Sequence, residues 1–398
     1  MKSAVAITYE LDDAAVAAGQ LADSIREKLT LLKHSVGILL CDADMDGATV
    51  TAKLQDLLGV EVAGMTTLAT LDPDGHHEAA ACLTVLTADD CGFFTGVSES
   101  LRAGDFRKKI TGAYQQAGSA AAAGGFGGNP GLVFVFCPYG MPFSGDRYPD
   151  VLSEASCDAP IIGGVASDDY DYERARVFCT GQEYRDAMVL ISVWGAVKPA
   201  FAMRHVTSRF AERIRRVVEA EGNVVYRVGD ETFVEYLEGF GLKTDVEDPL
   251  LAFNSYPMML TQEGGDETPL MRHIFALDHE TGIGSFLGDV PTGTLANICL
   301  VNKEDIISAC RISAKDLLAA RDLQPDYEYS TVLCFSCCGR AMILGKEGDA
   351  EGLVLKELLP ADLKLAGAYC LGEICPVRHQ DGKATSRFHN CSFTLCMI

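Results

Sequence analysis

The sequence is short of positive charge. Its 398 residues carry 33 Lys and Arg against 56 Asp and Glu, a net charge of −23. Nucleic acids and anionic bilayers need a positive footprint that pairs with phosphates and releases counterions, so neither is expected as the main partner. Long apolar runs are also missing. Stretches such as Gly131 to Cys137 stop far short of the roughly 18 to 20 residues that cross a bilayer, so no transmembrane helix is expected. Before Glu10, Asp12 and Asp13 there is only Ala4 to Thr8, too little for the apolar core of a signal peptide, and Cys396 is one position too late for prenylation. A cytoplasmic protein is expected. Equally absent are a P-loop, a G-x-G-x-x-G after a strand, a kinase signature and a nucleophile elbow.

Apolar material is ample. Hydrophobic residues make up 48% and charged ones 22%, so the chain can bury enough surface to offset its conformational entropy. At roughly 150 residues per domain its length suggests two or three domains. Fifteen cysteines are too dilute for a small disulfide scaffold. Many, including Cys41, Cys82, Cys137, Cys299, Cys334, Cys391 and Cys396, sit in apolar runs and are expected as reduced, buried thiols.

A unit recurs three times. An apolar strand ends in cysteine at Gly37 to Cys41, Val133 to Cys137 and Leu333 to Cys337. Helical segments follow at Ala48 to Leu58, Tyr148 to Ser156 and Ala350 to Leu359. A second strand then carries a glycine, in Val62-Ala-Gly64, Ile161-Ile-Gly163 and Leu365-Ala-Gly367. A closing strand lies at Ala81 to Thr87, Ala187 to Trp194 and Cys391 to Ile398. A helical crossover of this length fits parallel strands. The polar turns Asp72-Pro-Asp-Gly75 and His379-Gln-Asp-Gly382 fit an antiparallel excursion before the closing strand. The unit reads β-α-β-β. Leu11 to Leu32 has helical spacing after a strand at Ala4 to Thr8, and Gln115 to Pro130 reads as a helix end and a loop. Ser208 to Glu221 reads as an arginine-bearing helix stopped by Gly222-Asn223. The fold class is α/β with mixed α+β character: two domains, 1–200 and 201–398, with mixed sheets built from repeated β-α-β-β units.

The chemistry-bearing residues gather near the end of the chain. Cys334-Phe-Ser-Cys337 matches C-x-x-C, but thiols three positions apart on a strand face opposite sides, which disfavours a redox pair or a zinc half-site. Cys370, Cys375, His389 and Cys391 have no standard metal spacing, and no metal is expected. Cys337, Gly339 and Arg340 lie where a strand meets a loop, the place where α/β sheets collect ligands. Arg340 offers a planar fork to a carboxylate, and Glu373 can meet a ligand amine. The competing reading is an internal Arg340–Glu373 pair. A Cys337, His389, Glu373 triad is conceivable, although no nucleophile signature surrounds the cysteine. His76-His77 reads as a solvated turn. Arginines 204, 209, 213, 215 and 216 form a local basic cluster for an acidic partner, a haem propionate or a solvated helix face.

Three segments carry a family resemblance: Thr331-Val-Leu-Cys-Phe-Ser-Cys-Cys-Gly-Arg340, Ala366-Gly-Ala-Tyr-Cys-Leu-Gly-Glu-Ile374 and Phe388-His-Asn390. In order and spacing they resemble the C-terminal domain of the FIST family. Ala220-Glu-Gly-Asn223 and Asp289-Val-Pro-Thr-Gly293 look like its further landmarks. Gly37 to Cys41 and Val62-Ala-Gly-Met-Thr-Thr67 are similar to the FIST N domain. There the sequence departs from the family, since Leu68, Ala69 and Thr70 stand where that domain often has a second glycine–glutamate pair.

The resemblance implies an intracellular sensory module for signal transduction. Its ligand would be small and amino-acid-like, and its output would pass through a separate kinase, cyclase or chemotaxis protein. Ser336, Cys337, Gly339, Arg340, Tyr369, Glu373 and Asn390 are expected to converge on one ligand pocket. No cofactor is required and no enzymatic activity is expected. The rival readings are a haem-based nitric oxide sensor and a thiol-dependent enzyme using Cys337.

Overall fold

The computed structural model describes residues 1–205, 213–262, 268–378 and 384–398. Its organising feature is a unit present three times that contains the predicted β-α-β-β and adds an opening strand and helix before it and a hairpin ahead of its closing strand. The first comprises β1 (Lys2–Thr8), α1 (Ala14–Lys28), β2 (His34–Cys41), α2 (Gly47–Leu58), β3 (Glu61–Thr66), a hairpin of β4 (Thr70–Asp72) and β5 (Gly75–His77), and β6 (Ala81–Ala88). The second runs β7 (Cys91–Val97), α3 (Phe106–Ala123), β8 (Leu132–Cys137), α4 (Arg147–Ser156), β9 (Ile161–Val165), a hairpin of β10 (Val177–Cys179) and β11 (Gln182–Tyr184), and β12 (Val189–Gly195).

The third unit opens with β13 (Ala200–His205) and is then interrupted. The insertion contains β14 (Arg215–Glu221), β15 (Val224–Val228), β16 (Glu231–Thr232), α5 (Phe233–Glu238), α6 (Pro249–Ala252), β17 (Met258–Thr261), β18 (Leu270–Arg272), β19 (Ile274–Asp278), β20 (Ile283–Phe286) and β21 (Leu295–Ile298). The unit resumes with α7 (Lys303–Asp322), β22 (Thr331–Cys337), α8 (Cys338–Leu344), α9 (Ala350–Leu358), β23 (Lys364–Cys370), a hairpin of β24 (Glu373–Arg378) and β25 (Ala384–His389), and β26 (Ser392–Met397).

In every unit the cysteine-ended strand lies between a parallel partner and an antiparallel closing strand. The orders are β1-β6-β2-β3, β7-β12-β8-β9 and β13-β26-β22-β23. Cys41, Cys137 and Cys337 therefore hold equivalent places, opposite Thr66, Val165 and Cys370. Each hairpin leaves its own unit. β10–β11 extends the first sheet beside β3, β24–β25 extends the second beside β9, and β4–β5 extends the third beside β23. The exchange is cyclic, with every unit giving one hairpin and receiving another.

The recurring glycine marks the docking point. Gly64 pairs with Phe178, Gly163 with Ile374 and Gly367 with Leu71. A Cβ at these glycines would overlap the carbonyl oxygens of Leu39 or Val135, or crowd that of Cys334. The glycine thus permits close backbone approach on the neighbouring strand.

Strand parity separates two environments. Ile38 and Leu40, Phe134 and Phe136, and Leu333 and Phe335 point inward to one core shared by all three sheets. Their alternating neighbours pack under helices: Leu39 below α1 and α2, Val133 and Val135 below α3 and α4, Val332 and Cys334 below α7 and α9. All fifteen cysteines are unbridged, and only Cys157 is exposed. No helix among the described residues is long and apolar enough to cross a membrane.

Caps mark the helix ends. Asp13 accepts from Ala15 and Val16 to start α1, Asp46 from Thr49 to start α2, and Asp105 from Lys108 to start α3. One predicted helix is corrected. Residues 215–221 of the Ser208–Glu221 segment form β14, because Val217 sits in the insertion's core and the chain pairs with β15 and β21. Positions 208–212, including Arg209, lie outside the described residues, as do 379–382 of the predicted third-unit turn. Arg204 and Arg213 pair with Asp316 and Glu231. His76 and His77 lie in the docked hairpin against Asp349 and Asp72, only partly solvated.

Candidate functional site

Parity divides the predicted site residues into separate groups. Ser336 and Tyr369 stand opposite each other on β22 and β23, on the face covered by helices. There they meet Glu351 of α9. Arg340 gives Nε and Nη2 to Glu351 Oε1 at 2.9 and 2.6 Å and Nη2 to the Ile306 carbonyl at 3.1 Å, while Ser336 donates to Glu351 Oε2 at 2.8 Å. Arg340 and Glu351 are fully buried, and the guanidinium lies 5.3 Å from the Phe393 ring centroid. Burial works against its charge, but the Glu351 carboxylate more than compensates and holds the guanidinium's pKa above its ordinary value. The partner of Arg340 is Glu351, not Glu373.

Glu373 begins β24 and accepts from the Ser392 hydroxyl at 2.6 Å and the Ser392 N–H at 3.2 Å. Burial pushes its pKa up to about 8, although the Ser392 bonds favour the charged form. Three residues after the partner of each terminal cysteine stand Ala69, Asp168 and Glu373, so these occupy one repeated position. Asp168, also buried, accepts N–H bonds from Tyr170, Tyr172 and Arg174 at 3.1, 3.1 and 3.0 Å. That carboxylate holds Tyr170 and Tyr172 at φ values of 75° and 59°, a backbone strain that bulky residues accept only when their surroundings impose it.

The loop so strained forms one wall of a cleft. Its wide lobe, about 220 Å³, lies beyond the carboxyl end of β8 and is walled by Tyr139, Phe143, Phe275, Phe286, Leu287 and Phe388 among others. Tyr139 and Tyr172 stack with ring centroids 5.2 Å apart. A narrow lobe of about 20 Å³ adjoins it across Leu287 and Leu371 and reaches Cys337, Gly339, Asn254 and His273. The cleft thus lies at strand carboxyl ends, where the second unit, the third unit and the insertion meet.

Cys337 and Gly339 line the narrow lobe. Asn254 donates to the Gly339 carbonyl at 2.9 Å, and a Cβ on Gly339 would strike the Asn254 side chain. Asn390 stands one bond behind, its Oδ1 accepting from the His273 N–H at 3.4 Å. Burial lowers the His273 pKa to about 4, and its Nε2 has no partner. Of the seven predicted residues, then, Cys337 and Gly339 reach the cleft and Asn390 backs it. Ser336, Arg340 and Tyr369 gather round Glu351, and Glu373 joins Ser392.

Beneath the cleft, Arg272 ties the insertion to the units. It meets both Asp146 carboxylate oxygens at 3.0 Å, the Asp289 carbonyl at 2.9 Å and the Phe388 carbonyl at 3.1 Å. Sequence reasoning missed Arg272, His273, Asn254 and the two tyrosines. For Arg272 a signal existed, a charge inside the apolar run Pro269 to Phe275.

The Cys337 thiol is pushed well above its ordinary pKa by burial and by Glu373. His389 hydrogen-bonds the Cys375 carbonyl at 3.3 Å, and Glu373 is turned to Ser392. The raised pKa keeps Cys337 in its protonated, less nucleophilic form.

The FIST N domain matches residues 35–231 and the FIST C domain residues 231–376. The chain belongs to the FIST family. FIST domains are regarded as sensory domains of signal transduction that bind small ligands, and the segments of this FIST protein that resemble the family's C-terminal domain contribute Ser336 and Arg340 to the Glu351 cluster and Cys337 and Gly339 to the narrow lobe. No curated protein matches the chain. Among solved structures, a cyanuric acid hydrolase from A. caulinodans is similar at 9% identity and TM-score 0.37, over 99% of this chain and 98% of that one. T. maritima PurL complexed with FGAR is similar at 10% identity and TM-score 0.23, over 99% and 72%.

Glu373 yields a pH prediction. Its folded pKa of about 8 lies above the unfolded value near 4.5, so the folded state binds more protons between these limits and stability falls as pH rises through them. His205, His273 and His389 have lowered pKa values and make stability rise with pH up to about 6.5, where unfolded histidine titrates. Between about pH 6.5 and 7.5 the glutamate is left unopposed by these histidines, and the loss from unfolded thiols, which titrate near 9.0, has not yet set in. Denaturant unfolding should lose up to ~1.4 kcal/mol per pH unit there, and Glu373→Gln should flatten the slope. Equal slopes in the two proteins would remove Glu373 as its source.

Proposed function

We propose that this FIST protein senses a small molecule of about amino-acid size, bound in the cleft between the second unit, the third unit and the insertion, and signals through a separate kinase, cyclase or chemotaxis protein. The cleft carries the reading, because it is a largely apolar enclosure with a few convergent polar groups at strand carboxyl ends. A ligand seated there touches both sides of the insertion boundary, so its occupancy bears on how the insertion sits against the units. Arg340 and Glu351 lie behind as support, and Cys337, Gly339 and Asn390 shape the narrow end.

One observation favours the haem reading. A hollow of about 570 Å³ is bordered by Met203, His205 and Met259, and neither ring nitrogen of His205 has a hydrogen-bond partner. One experiment compares the two sites. Thermal shift against a metabolite panel and haem is run on the full chain and on Met141→Trp, which fills the wide lobe from a partly exposed loop. A cleft ligand at about 100 times its Kd adds roughly 2.7 kcal/mol, and the gain should vanish in the variant. A gain that survives Met141→Trp, or a Soret band lost with His205→Ala as the only response, would move the site out of the cleft.

A further inference from the structure

The walls of the cleft have an unusual charge composition for so acidic a chain. Net charge is −23 and 22% of residues are charged, yet no Asp, Glu, Lys or Arg is among the described residues lining either lobe. The buried charges behind the walls are already committed, Asp168 to three backbone N–H groups and Glu373 to Ser392. Arg272 and Asp146 satisfy each other beneath the floor, and Arg340 is held by Glu351. A zwitterion entering the cleft would give up hydration at both charges and find no cationic wall residue for its carboxylate, while the acids that act on the tyrosines, Asp168 and Asp248, stand behind the lining.

What the walls do offer is aromatic surface. Tyr139 stacks on Tyr172, while Phe286 and Phe388 are buried in the walls and Phe275 is the exposed aromatic of the lining. Flat rings pack against such surfaces by offset stacking and edge contacts. The narrow lobe has room for about one polar heavy atom, and there His273, 3% exposed, keeps an unpartnered Nε2. Gly339 is necessary to this arrangement, since a Cβ would stand 2.8 Å from the imidazole Cε1.

From these features we infer that the cleft takes an uncharged aromatic molecule, its ring in the wide lobe and a hydrogen-bonding edge directed to His273. The inference rests on the cleft being the ligand site. It departs from an amino-acid-like ligand in charge, not in size. Burial keeps the imidazole neutral at physiological pH, so it meets a neutral donor or acceptor without a charge mismatch.

Indole and L-tryptophan test this directly, because they share a ring and differ by the zwitterion. Titration calorimetry on the full chain should show saturable one-to-one binding of indole, with tryptophan weaker by about tenfold or more. Phe275→Ala, at an exposed position, should weaken indole binding without unfolding the protein. His273→Ala should cost about 2- to 10-fold for one lost hydrogen bond, and Met141→Trp should abolish binding. Tryptophan binding as tightly as indole, and lost in Met141→Trp, would overturn the ligand class and leave the cleft in place. Indole binding unaffected by Met141→Trp would overturn the cleft itself. If indole, phenol and quinoline all fail to bind at about 1 mM, the aromatic class is wrong.

Discussion

Replacing Arg340 with methionine should destabilise the protein by roughly 3 to 5 kcal/mol while leaving ligand binding in the cleft intact. The substitution strands Glu351 in a fully buried site, with hydroxyl groups but no cation beside it. It also removes the bond to the Ile306 carbonyl that pins α7 over the third sheet. Two-state denaturant unfolding measures the loss. A second substitution, Glu351→Leu in the Arg340→Met background, should recover much of it, because two apolar residues carry no desolvation penalty. A change below about 1 kcal/mol in the single variant would fit an exposed pair and would show that this cluster is not a structural lock. Loss of cleft binding in a stable Arg340→Met protein would instead return the arginine to the ligand.

Gly163→Ala should be at least as damaging, at about 3 kcal/mol or more, or should prevent folding. Gly163 has a φ of 151° and lies between β8 and the incoming β24, with the Val135 carbonyl where a Cβ would go. No side-chain rotation relieves a clash with backbone. Gly19→Ala is the matched control. That glycine is inside α1 with open space round it, so alanine there should stabilise by about 0.5 to 1 kcal/mol. Similar effects at both positions would mean that close approach at the docking point is not what selects glycine.

The threefold unit was legible because both of its marks, the cysteine closing a strand and the glycine on the next, have physical causes: a buried small thiol and a backbone contact. Most unit helices were legible within a few residues from apolar spacing. The hairpin exchange was not, because docking involves as few as two residue pairs, as between β4 and β23, and backbone pairing leaves little trace in side-chain type. β14 was misread for a related reason. In sequence, arginines 209, 213 and 216 lie at helical spacing, while the only buried residue of β14, Val217, gives no alternating pattern to set against them. At the site, the sequence pointed to the right segments but not to their division. Ser336 and Cys337 are adjacent and so face opposite sides, a parity that separates the Arg340 cluster from the cleft. Ion-pair partners were equally hidden, since Glu351 is one of 56 acidic residues.

The cyclic hairpin exchange makes the chain inseparable along its own sequence. A cut near residue 200 or 231 leaves the third sheet without β4–β5 and the second without β24–β25, so neither fragment has its edge strands covered. Two such fragments complete each other only when mixed, and they should reassemble as a complementing pair. Each unit owes part of its sheet to the next, and loosening any one hairpin exposes the edge of a sheet that belongs to a different part of the sequence.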